Sequence, residues 1–130
     1  MCNAISTAFA IPVAALDLAH VQGSLQVRKA AGDERYLTFG GETEHPEPGE
    51  VSFIDEARNA HARRWTHRQS GLSAVRAATA DVLVVAEAMH PAAAQDVPRL
   101  LAALRESLQG VWRAPDEGAV LSVEAPRFPL

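Results

Sequence analysis

The residues of this chain best suited to chemistry crowd into one short run. Residues Ala62 to Ser70 read ARRWTHRQS, so Arg63, Arg64 and Arg68 surround Trp65, His67 and Gln69. A guanidinium grips a phosphate or carboxylate through two parallel N–H donors. An indole stacks on a base or on another aromatic group. The run is therefore a candidate binding surface. In an extended strand Arg63 and Trp65 face one side, and Arg64 and Thr66 the other. The competing assignment buries Trp65 in the core and pairs the arginines with nearby acids. Glu87 is a second candidate: it ends the apolar run DVLVVAE, and a carboxylate at the end of a buried strand is unusual and a candidate for a site. It is able to accept hydrogen bonds from an α-amino group, or to pair with Arg63 or Arg64.

Other chemistries lack their residues. His20, His45, His61, His67 and His90 show no metal-ligand spacing, and the carboxylates around His45 (Glu42, Glu44, Glu47) follow no ligand pattern. No metal and no cofactor is expected. No serine sits in a nucleophile elbow, and no phosphate-binding glycine loop occurs. The single cysteine, Cys2, excludes an internal disulfide framework and a cysteine-built zinc site.

The elements that must position these residues follow from pattern. With 130 residues and 48% apolar content, the chain is expected to be one domain, residues 1–130, with a real core. Aromatics are only 5%, so Ala, Val and Leu carry the packing. The net charge of −4 argues against strong nonspecific nucleic-acid binding, which rests on phosphate neutralisation, but not against a local basic patch. No apolar run has the length of a membrane span, so no membrane partner and a cytoplasmic location are expected.

Asn3 to Ala10 predicts a short helix stopped by Pro12. Val13 to Leu16, Ser24 to Lys29, Arg35 to Phe39, Val51 to Ile54, Ala60 to Trp65 and Ala119 to Val123 read as strands. Ser24–Lys29 and Arg35–Phe39 form a hairpin on this reading, and GGETEHPEPGE is a loop. Asp81 to Glu87 reads as a buried central strand. Val97, Leu100, Leu101, Leu104, Leu108 and Val111 make one stripe of helical period, which predicts a long amphipathic helix over about 96–110. Asp96 is its expected N-cap, Pro98 lies in its first turn and Gly110 stops it. The class is α+β, with a mixed, mainly antiparallel sheet. Charge is uneven: Glu42 to Glu56 holds six acids and no Lys or Arg, and Ala57 to Ala80 holds five arginines and no acid. Adjacent blocks of opposite sign imply an ion-pair network or a dipolar surface.

In order, the segments IPVAALDLAHVQGSLQVRKA, GGETEHPEPGEVSFID, ARRWTHRQS and TADVLVVAEAMH resemble the tRNA-binding and editing domain of the phenylalanyl-tRNA synthetase beta subunit, and its free-standing relatives most of all. Pro12 to Asp17, Gly23, Pro48-Gly49-Glu50, Arg63-Arg64-Trp65 and Glu87 fall in register, from roughly Asn3 onward. Ala14 stands where the synthetase element has a histidine, and the Arg-Arg-Trp run replaces its glycine-rich pocket segment. The resemblance implies the C-terminal part of an α+β domain, with an N-terminal portion missing and an exposed edge that favours self-association. It implies tRNA or aminoacyl-tRNA as partner and hydrolysis of mischarged aminoacyl-tRNA in trans, an ester hydrolase rather than an intact synthetase. Arg63, Arg64, Trp65, His67, Arg68, Gln69 and Glu87 would line the site. The alternatives are a binding module without catalysis, for RNA or a small amino-acid-like ligand, and an inactive fragment of a longer domain.

Overall fold

Short alternating runs separated by Gly, Pro and Asp turns give residues 12–87 eight brief strands. The structure, a computed structural model, describes residues 1–110 and 117–129. The chain divides into two compact units, one of residues 12–87 and one of residues 1–11 with the chain from Ala88 onward. The first unit holds β1 (Val13–Asp17), β2 (Gln26–Lys29), β3 (Tyr36–Leu37), β4 (Thr43–Glu44), β5 (Val51–Ile54), β6 (Ala60–Arg63), β7 (Arg68–Gln69) and β8 (Val82–Ala86). A four-stranded sheet runs in the order β2-β5-β6-β7, and β1–β8 and β3–β4 form two-stranded ribbons. Among the described residues every ladder is antiparallel, and one parallel bridge joins Arg35 to Asn59. The fold is α+β, as the pattern predicts.

The expected hairpin of Ser24–Lys29 with Arg35–Phe39 does not form. β2 pairs with β5, and β3 pairs with β4 inside the segment expected to be loop. Glu34 is the physical reason. Its fully buried carboxylate accepts the N–H groups of Ala31 and Gly32 and the Arg28 guanidinium, so the connection wraps around an anion instead of making a hairpin turn. Burial pushes the Glu34 pKa up, but those donors outweigh it and hold the carboxyl at about 2. Arg35 is meanwhile stitched to the Arg58 carbonyl and the Ala60 N–H, which fixes β3 beside β6. The alternation in β2 does not select a core face either: Val27 is 48% exposed.

β8 is not central. It pairs with β1 alone among the described residues, and all five of its residues are half-buried. The other edge of β1 is taken by the 69–74 segment, through the Asp17 N–H to the Ser73 carbonyl and a Leu16–Ala74 bridge. The same segment also lies against the backbone that follows β3, where the Gly71 N–H donates to the Leu37 carbonyl and a Cβ on Gly71 would lie 2.8 Å from the Thr38 carbonyl oxygen. With few aromatics available, the buried cluster of this unit is Ala30, Tyr36, Ile54 and Ala60.

The second unit is helical. α1 (Cys2–Phe9) ends at Ala10, whose φ is 52°, and Ser6 Oγ donates to the Ile11 carbonyl 2.7 Å away. α2 (Ala93–Gln109) buries Leu100 and Leu104 and packs against α1, as its stripe predicts. It begins earlier than about 96. Backbone bonds from Ala93 to His90 and from Asp96 to Ala92 wind the first turn, so the cap is Ala92 and Pro98 lies inside the helix. Gly110 caps its C-terminus. Val111 of the stripe lies outside the described residues. Ala119 to Val123 forms no strand; these residues are exposed, with Val123 at 92%. Among the described residues no helix is long and apolar enough to cross a membrane.

Candidate functional site

The basic run sits where β6 turns into β7. All four residues of β6 are buried, so its polar side chains must find partners. Arg63 finds two. Its Nε and Nη2 donate to the two oxygens of Glu50 at 2.8 and 3.0 Å, and its Nη1 donates to Glu44 at 2.7 Å. Arg68 donates to both Glu44 oxygens, at 3.1 and 3.3 Å. The Tyr36 ring lies beside both guanidinium carbons, at 5.2 and 5.3 Å, and its hydroxyl donates to the Gln69 carbonyl.

The electrostatics agree with the geometry. The Arg63 hydrogen bonds hold the Glu50 carboxyl below its ordinary range against the opposing effect of burial, and Arg68 first, with Arg63, does the same for Glu44. Glu50 in turn raises Arg63, and Glu44 raises Arg68. Arg63 is only 4% exposed, so its donors are consumed inside the protein. The opposite charge blocks of the sequence are thus an ion-pair network, and the competing assignment holds for Arg63.

It does not hold for Trp65. The strand ends at Arg63, and Arg64 and Trp65 take the left-handed backbone, with φ of 49° and 62°. That conformation costs a non-glycine residue roughly 1–2 kcal/mol. The alternation expected for a strand is therefore broken: Trp65 does not share a face with Arg63 but stands in the turn, 42% exposed. Arg64 and His67 are exposed beside it, and Arg64 keeps only a loose approach to Glu50 at 3.7 Å. Gln69 faces elsewhere, donating to the Ala15 carbonyl and tying β7 to β1.

Glu87 follows β8. Its side chain is half-buried, and its Oε2 is shut off from solvent with no hydrogen-bond partner among the described residues. Burial pushes its carboxyl pKa up. The carboxylates that partner Arg63 and Arg64 are Glu44 and Glu50, not Glu87. His45 spends Nδ1 on the Glu34 carbonyl, and no three His, Cys, Asp or Glu side chains among the described residues are grouped to hold a metal.

One polar centre was not foreseen. Asp55 accepts from the Asn59 N–H and side chain, the Gln22 N–H and the fully buried His61 Nε2, the last at 3.1 Å. Burial raises the Asp55 pKa, and these donors more than reverse it. The signal was available: in β6, His61 and Arg63 share one face by period two, so a buried Arg63 implies a buried His61.

A family model described as the B3/4 domain matches residues 1–117. A search of curated proteins finds no match.

Proposed function

We propose, from the fact that the chain belongs to the B3/4 domain family, the phenylalanyl-tRNA synthetase beta-subunit type, that it is a tRNA-related binding domain. The observation that carries this reading is the extent of the match, which spans every helix and strand described above. The finer reading is hydrolysis of mischarged aminoacyl-tRNA in trans, in the cytoplasm. Such a reaction needs no side-chain nucleophile; a positioned water, oxyanion donors and a terminal ribose hydroxyl suffice. Glu87 is the group suited to an α-amino cation, because its buried oxygen has an acceptor position to offer. Arg64 and the half-buried Arg68 are suited to phosphates, with Trp65, His67 and Gln69 nearby in the chain and Arg63 bracing the strand that carries them.

Ala14 favours the second reading, a binding module without catalysis. It is buried at 5% in β1, an apolar methyl where the synthetase element carries histidine. One experiment separates the two. Labelled tRNA is titrated with the protein, and a panel of mischarged tRNAs is incubated with it. Binding with deacylation above the protein-free control supports hydrolysis. Binding with no deacylation supports the module. No binding to any tRNA contradicts both.

A further inference from the structure

The turn from Arg64 to His67 is built differently from the residues on either side of it. Arg63 is locked to Glu44 and Glu50 and the half-exposed Arg68 pairs with Glu44, whereas the turn presents Arg64, Trp65 and His67 outward. Its first two positions are left-handed, a conformation that Asn and Gly adopt at little cost and that Arg and Trp adopt under strain. Strain of this kind persists only where the surrounding structure holds the backbone in place. The Trp65 N–H bonds the Val51 carbonyl, so the indole is carried on an anchored backbone. Val51 lies opposite Lys29 in the β2–β5 ladder, which brings a second exposed cation to the same end of the sheet. Glu47 is the exposed acid there, beside Glu50, which is committed to Arg63. Two exposed cations against one acid, around an exposed indole, stand out in a chain of net charge −4.

We infer that this turn is a platform for one unpaired nucleotide of RNA: the Trp65 indole stacks on the base, and Arg64, supported by Lys29, holds the adjoining phosphate. Stacking accepts any base, since every base offers a π-face, so the platform selects single strands over duplex rather than one sequence. Arg63 takes no part in the contact; it and its two glutamates brace the turn from within. The inference rests on the tRNA-related reading above and narrows it to one contact.

The test uses the full chain, a short single-stranded oligoribonucleotide, a paired RNA duplex of the same composition, and tRNA. Trp65→Ala weakens single-strand binding about tenfold or more, the loss of one base stack. Arg64→Ala lowers the salt slope of binding by about 0.7, one phosphate contact on a single strand. Arg99→Ala, an exposed arginine on α2, leaves binding unchanged. The deciding variant is the double replacement Arg64→Asn with Trp65→Gly, which relieves the backbone strain. It should raise or preserve the melting temperature while losing RNA binding, a split that a merely structural turn does not give. If wild type binds tRNA and the turn variants bind as wild type does, this inference falls and the tRNA reading stands. Equal affinity for duplex and single strand also overturns it, as does binding lost only together with the fold. If wild type binds no RNA, the tRNA reading falls and the platform with it.

Discussion

Residues of one type do opposite work in this protein, and burial decides which. Arg63 and Arg64 are adjacent, yet one is an internal tie and the other a surface cation. Truncating Arg63 strands the Glu50 carboxylate, so Arg63→Ala should cost about 3 kcal/mol, whereas Arg64→Ala should stay within about 0.5 kcal/mol. Chemical denaturation of both variants measures the difference. Glu34 carries a pH signature. Its folded pKa of about 2 lies below the ordinary 4.5, so the stability it adds is present above pH 4.5 and is lost as pH falls toward 2. Glu34→Gln should therefore be less stable at neutral pH by about 1–3 kcal/mol, and acid titration should close the gap to wild type across that window. Glu87 has the opposite sign, because burial raises its pKa and its ionised form weakens the fold as pH rises. Glu87→Gln should hold or raise the melting temperature at neutral pH and weaken any ligand carrying an α-amino cation. The sequence made the pairing of the charge blocks legible. It did not make Tyr36 legible as the ring beneath two arginines, because that contact joins strands distant in the chain.

Elements were readable where one periodicity dominated. The apolar stripe of α2 located the helix, and its start was misplaced because Asp96 and Pro98 imitate a cap and first turn one turn late. Leu104, only 5% exposed, closes that stripe, so Leu104→Ala should destabilise by about 2–5 kcal/mol in thermal or chemical unfolding. Pairing was harder to read. Nothing in the spacing of Ser24–Lys29 reveals that Glu34 will gather backbone donors and send β2 to β5. The strand expected at Ala119 to Val123 had suitable residues but gained no described ladder. The turn after β6 was invisible for the same reason: Arg-Trp carries no turn signature, and only the left-handed backbone shows where the strand stops.

For the whole molecule, family membership and the exposed part of the basic run point the same way, although the net charge is negative. Internal pairing removes Arg63 from the cations available to RNA and leaves Arg64 and Lys29 exposed on the surface, with Arg68 half-exposed but paired to Glu44. A small, local contact predicts weak salt dependence rather than the steep loss of a basic nucleic-acid binder. The most direct measurement is equilibrium binding of tRNA across a salt series. The account predicts binding at low salt whose affinity falls with a log–log slope of about −1.4 to −2, two or three phosphate contacts on a single strand. No binding at low salt, or affinity that does not change with salt, would contradict it.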